Sequence, residues 1–154
     1  MVWIGKNQEA NAPIEAVWQL ISDFANENKY WPPLSNVKIL SRKENAVERE
    51  VTMKMGGGHM KDPKSLQTLL IDPREKSTTL SMQNGPIQGT RKIALHKLGE
   101  KKTRIEVNWE FETNGVPGLA LTFMKRHLTH FTEKAAVQIA KEAESVRDTA
   151  DRAR

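Results

Sequence analysis

The chain contains no cysteine. Disulfides, thiolate metal sites and cysteine nucleophiles are excluded, and a reducing compartment fits. Long apolar runs are missing as well. No stretch approaches the roughly 20 residues of a membrane span, and Met1 to Asn7 lack the apolar core of a signal peptide. A cytoplasmic location is expected. The sequence has no Gly-x-Ser-x-Gly elbow. Gly56-Gly57-Gly58-His59-Met60-Lys61 lacks the Gly-Lys-Ser/Thr ending of a phosphate loop. His127 and His130 are three apart with no third ligand at useful spacing, so no metal is expected. Glu106, Glu110 and Glu112 alternate with apolar neighbours and should face water. No catalytic residue and no cofactor is therefore assigned. Internal repeats, low-complexity tracts and linkers are also lacking.

What is present is one domain's worth of chain, 154 residues with a formal charge of +5. The 24 basic and 19 acidic residues are mixed, as on a solvated surface. Lys92, Lys97, Lys101, Lys102 and Arg104 gather on one hairpin, but no aromatics interleave them, so nucleic-acid binding is not expected. The charge is compatible with transient contact with a membrane surface. Oligomeric state is left open.

Val2 to Ala10 reads as a first strand. Asn11-Ala12-Pro13 opens a helix, with Asn11 as its cap and Ile14, Val17, Trp18 and Ile21 on one face. Phe24 to Tyr30 reads as a second short helix, stopped by Trp31-Pro32-Pro33. From Val37 to Thr113 the period falls to two. Strands are expected at Val37–Leu40, Val47–Met55, Leu66–Ile71 (buried), Thr78–Met82, Arg91–Leu95 and Ile105–Phe111. Short turns between them favour an antiparallel meander. Leu121, Met124, Leu128, Phe131, Ala135, Ile139 and Val146 then keep helical spacing with no Gly or Pro between them. This predicts a helix from about Gly118 to Arg147, with 147–154 frayed. The architecture is α+β: a curved antiparallel sheet of six to seven strands around a long C-terminal helix.

Ala12-Pro13-Ile14-Glu15-Ala16-Val17-Trp18-Gln19-Leu20-Ile21-Ser22-Asp23-Phe24 resembles the opening signature of the polyketide cyclase and lipid-transport branch of the START-like (SRPBCC, helix-grip) superfamily. Trp31-Pro32-Pro33 with Val37-Lys38-Ile39-Leu40 after it is similar to the next segment in that branch. The resemblance covers roughly residues 2 to 145 and implies an internal cavity for a lipid, quinone or polyketide-like molecule. These motifs place helices and turns and contain no obligatory catalytic group, so fold alone does not choose between enzyme and carrier.

In a meander, alternate turns share one end. The turns 42–45, 72–76 and 99–102 hold ten charged residues out of thirteen, a solvated end. The other turns, 56–60, 84–87 and 114–118, hold six of the nine glycines and several apolar residues. That end is the expected cavity mouth, with Gly57, His59, Asn84, Gly85 and Val116. Cavity walls are expected from Met53, Met82, Trp109, Phe111, Met124, Leu128 and Phe131, with His127 beside them. Arg49 shares the phase of Val47 and Val51, and Arg91 that of Ile93 and Leu95. An inward guanidinium needs a carboxylate, carbonyls, water or an anionic ligand. The favoured function is a non-enzymatic carrier or sensor of a hydrophobic molecule. The alternatives are a cyclase or dehydratase acting on a hydrophobic carbonyl compound and a protein-interaction or stress-response module.

Overall fold

Seven runs of period-two residues pair side by side into one antiparallel sheet: β1 (Val2–Ala10), β2 (Leu34–Lys43), β3 (Ala46–Met53), β4 (Lys64–Asp72), β5 (Ser77–Gln83), β6 (Gln88–Gly99) and β7 (Lys102–Glu112). The order is β1-β7-β6-β5-β4-β3-β2, so every chain neighbour from β2 to β7 is a sheet neighbour and β1 closes against β7. The structure is a computed structural model that describes residues 1–31, 34–53, 64–84, 87–113 and 118–152. All six expected strands of the 37–113 region are present, most of them longer than the apolar alternation alone marks.

Between β1 and β2, where two short helices are expected, lie one α-helix, α1 (Ile14–Ser22), and one 3₁₀ helix (Phe24–Lys29). Val17 and Trp18 are the buried residues of α1. Asn11 does not cap it. Pro13 occupies the N-cap position without a side-chain bond, and the Asn11 backbone N–H donates to Glu144 Oε1 at 2.9 Å.

The long helix α2 (Gly118–Arg152) continues five residues past its expected end. No Gly or Pro interrupts it there, and Arg147 Nη1 donates to the Asn11 carbonyl, holding the last turns down. Thr132, Ala135, Ala136, Ile139, Ala140 and Ala143 are buried, and α2 packs mainly on β1 and α1. Small side chains let the helix approach closely. Val146, in phase with this stripe, is nevertheless 41% exposed, because burial on α2 ends at Ala143.

The inner face of the sheet carries Ile4, Val47, Leu69, Leu80, Ile93, Leu95, Ile105 and Val107, all buried. β4 departs from the expectation of a buried run. Ser65, Gln67 and Leu69 point inward, and Leu70 is 48% exposed. Its inward polar residues have partners: Ser65 Oγ donates to the Asn84 carbonyl at 2.9 Å, and Gln67 sits opposite Arg49. Gly89 pairs with Phe111 across β6 and β7, where a Cβ would stand 2.1 Å from the Glu110 carbonyl oxygen. Only glycine permits that approach.

Candidate functional site

Strand register sets the site. Arg49 on β3 lies opposite Gln67 on β4, and Arg91 on β6 lies between Leu80 and Trp109. Both arginines have the phase of buried neighbours, and the fold takes both inside, to 2% and 4% exposure. Their partner is Glu27, which the 3₁₀ helix lowers over the sheet. Arg91 Nη2 donates to Glu27 Oε1 at 3.0 Å, and Arg49 Nη1 lies 2.6 Å from Glu27 Oε2. The second contact is close but poorly aligned as a hydrogen bond, since Oε2 has no properly directed donor. Arg49 Nε donates to Gln67 Oε1 at 3.0 Å.

Aromatic rings roof the cluster. The Arg91 guanidinium lies 4.2 Å from the Trp31 ring centroid and 5.7 Å from that of Trp109. Trp31 and Trp109 meet edge to face at 5.9 Å, and Phe111 continues the series at 6.5 Å from Trp109. The indole of Trp109 donates to Thr132 Oγ1 at 3.0 Å, which ties this wall to α2. A small cavity of about 20 Å³ adjoins Arg91, enough for one water-sized group. Ile21, Phe24, Glu27 and Tyr30 form one wall of it, and Leu69 and Arg91 stand on the other.

Among the described residues the charges of the cluster do not balance. Two guanidiniums face one carboxylate, and Arg49 Nη2 and Arg91 Nε are buried without a hydrogen-bond partner among the described residues. Burial alone would raise the Glu27 carboxyl. The adjacent Arg91 and Arg49 outweigh it and hold the group below its ordinary value. Burial lowers the Arg91 guanidinium, and Arg49 adds to that, while Glu27 opposes both. Such an arrangement is suited to receiving negative charge, whether a ligand carboxylate, a carbonyl oxygen or an oxyanion.

The expected site residues fall into three groups. Arg49, Arg91, Met82, Trp109 and Phe111 are buried on the inner face of the sheet. Met124 and Leu128 are partly buried against the core, and Phe131 is half-buried. His127 is a correction. It is exposed, stacked on Phe123 at 5.9 Å and edge-on to Phe131 at 4.6 Å. The i, i+4, i+8 ladder Phe123-His127-Phe131 starts well off the Leu121-Met124-Leu128 face and rotates about 40° toward it at each step, nearing it only at half-buried Phe131, so nearness in sequence to Met124 does not place His127 inside. At the mouth, Asn84 is exposed with φ 58°, a left-handed conformation asparagine tolerates. Gly57, His59, Gly85, Val116 and the side chain of Met53 lie outside the described residues.

Glu27 and Gln67 join the site without being marked by any pattern in the sequence, and Trp31, read there as part of a helix stop, joins them. The signal for Glu27 is indirect: two inward arginines demand a carboxylate, and the short second helix carries one. At the opposite end, expected to be merely solvated, an open depression of about 580 Å³ runs between the β2–β3 and β4–β5 turns past Leu70 and Lys92. Among the described residues no group of three or more His, Asp or Glu could hold a metal, and no helix is long and apolar enough to cross a membrane.

A curved seven-stranded antiparallel sheet gripping a long C-terminal helix is the helix-grip architecture of the START-like superfamily. The chain belongs to the family described as polyketide cyclase / dehydrase and lipid transport, whose model matches residues 4–144. Its structure is similar to the Zhui aromatase/cyclase from Streptomyces sp. R1128, with a TM-score of 0.79 at 15% identity over 93% of each chain. It is also similar to a START superfamily protein from Mycobacterium smegmatis, with a TM-score of 0.70 at 18% identity over 94% of this chain and 98% of that one. Norcoclaurine synthase from Thalictrum flavum, solved with dopamine and hydroxybenzaldehyde, gives 0.69 at 13% identity over 96% and 87%. No curated protein matches the sequence significantly.

Proposed function

We propose that the protein binds a small hydrophobic molecule between the inner face of the sheet and α2, with the molecule's polar head directed at Arg49 and Arg91. The observation that carries this reading is the buried cluster of two arginines on one carboxylate, roofed by Trp31 and Trp109. Among the described residues Arg49 Nη2 and Arg91 Nε have no acceptor, and a ligand head would supply one. Carriage or sensing is favoured over catalysis, because His127, the histidine expected beside the cavity, is exposed and could not pass a proton to a ligand inside. Contact with a membrane surface during loading fits Leu119 and Phe123, which are 88% and 71% exposed beside Lys125 and Arg126.

Two competing readings have an observation each. Convergence of Arg49 and Arg91 supports a cyclase-type enzyme in which fixed guanidiniums stabilise a developing enolate. The small size of the cavity beside Arg91 supports an interaction module. Native mass spectrometry after gentle purification, with a thermal-shift panel of lipids, quinones and polyphenols, separates them. A co-purifying small molecule, or stabilisation by one panel class, is expected. A clean apo mass with no shift across the panel refutes the binding reading. Turnover of a polyketide-like carbonyl compound would establish the enzyme.

A further inference from the structure

The geometry points to a second role for Glu27: it is an internal stand-in for a ligand carboxylate, and an amphiphilic carboxylate enters by taking its place on Arg49 and Arg91. This rests on the ligand-binding reading and names the ligand class and the element that yields.

Glu27 occupies the position an incoming carboxylate would need. Its two oxygens are shared between guanidiniums from different strands, Oε1 with Arg91 and Oε2 with Arg49. The arginines are fixed by the sheet. Arg49 is held by Gln67 and by strand pairing on both sides, and Arg91 lies against Trp31 and, farther off, Trp109. Glu27 comes from a six-residue 3₁₀ helix, the shortest helical element described. Such helices have poorer hydrogen-bond geometry than α-helices. The carboxylate is therefore on the softer side of the cluster.

Displacement changes little inside and gains something outside. The entering carboxylate replaces the same charge on the same donors, while Glu27 moves to water and recovers its hydration. It also enlarges the interior, because Phe24, Glu27 and Tyr30 form one wall of the cavity beside Arg91. A cavity of about 20 Å³ in the closed form becomes room for a head group as that wall withdraws.

The tether sets the selectivity. Glu27 is part of the chain, so its effective concentration at the arginines far exceeds that of a dilute free anion. A bare anion such as acetate loses this competition. A carboxylate on an apolar body wins, because burial of the body against the inner wall adds to its side. An uncharged analogue has the body but no reason to move Glu27.

The test uses the full chain, wild type and Glu27→Gln, titrated with 1-naphthoate and with its methyl ester, followed by ligand fluorescence. Removing the competing charge should tighten 1-naphthoate by at least about tenfold, the value of one hydrogen bond to a charged group. Binding of the ester should not change. In the wild type, 1-naphthoate but not the ester should speed amide hydrogen exchange across Phe24–Lys29, a readout that stands even where Glu27→Gln fails to fold. Acetate should do neither. Weaker or unchanged 1-naphthoate binding by Glu27→Gln, or equal protection of Phe24–Lys29 by both compounds, overturns the inference and leaves Glu27 a structural counter-charge. Failure of both compounds to bind the wild type and a folded Glu27→Gln alike overturns the ligand-binding reading itself.

Discussion

Glu27→Gln has a second consequence, in stability rather than binding, and its sign is set by the ion cluster. The glutamine keeps the shape and can still accept from one guanidinium, but it leaves two buried cations without a counter-charge. Removing one member of a buried ion pair costs about 3–5 kcal/mol. Glu27 retains 10% side-chain exposure, so the low end, about 3 kcal/mol at pH 7, is expected. The folded-state pKa of Glu27 lies below its ordinary 4.5. The carboxylate's contribution is therefore complete above that value and is lost as the pH falls through the folded pKa. Contributions from carboxylates remote from the cluster cancel in the difference. Urea unfolding at a series of pH values from 7 down to 3 should show a gap between wild type and variant that is constant to about pH 5 and narrows below it. A gap that is absent at pH 7, or that stays constant into acid, would refute the assignment of Glu27 as the charged centre of the cluster.

Arg91→Met should weaken binding of an amphiphilic carboxylate by roughly 1.5–3 kcal/mol and affect its ester far less, as measured by calorimetric titration. Equal losses would indicate altered packing. Thr132→Val removes the acceptor of the buried Trp109 indole and should destabilise the fold by about 1–3 kcal/mol, with a change in tryptophan emission. Gly89→Ala must push against the Glu110 carbonyl and the Phe111 backbone, so about 2 kcal/mol or more of destabilisation is expected in thermal unfolding. Tyr30 is the one tyrosine in the chain, and burial together with its bond to Glu142 raises its phenol above the ordinary value of 10.0. A near-ultraviolet titration should show no tyrosinate at pH 10 in the wild type and a lowered but still raised midpoint in Glu142→Ala, because burial is the larger cause and remains; half-ionisation near pH 10 in the wild type would refute the placement of Tyr30.

Strand positions are legible because each strand carries its own period-two record. Ile105, Val107, Trp109 and Phe111 mark the buried face of β7 without reference to any other element. The same local rule carries Arg49 and Arg91 inward, against the expectation that charge faces water. The partner of those arginines is not legible. Glu27 is 22 residues before one and 64 before the other, on a segment with no periodicity of its own. Its position depends on how Trp31 and Tyr30 dock, which is tertiary information. The failure at His127 has the opposite cause. Helical spacing limits which residues share a face, but the edge of a stripe is set by how far the partner sheet reaches. Among the described residues it does not reach Phe123 and His127. Leu70 departs from expectation for a similar reason: an apolar run says nothing about which of its two faces is covered.

The two edges of the sheet are not alike. β1 is flanked by α2, whereas β2 ends the sheet with no further strand beside it among the described residues. Its Val37, Ile39 and Leu40 are 36%, 46% and 48% exposed. A ten-residue free edge with apolar side chains is a template for a second strand, from another copy or an unfolded chain. The strand carries the usual countermeasures. Its register slips against β3 between Leu34 and Asn36 and again between Ile39 and Ser41, and Lys38, Arg42 and Lys43 place repelling charge along it. Colloidal behaviour is thus decided at the opposite margin of the sheet from α2. Lys38→Val would leave the ion cluster untouched and make the protein aggregate at concentrations where the wild type stays dispersed.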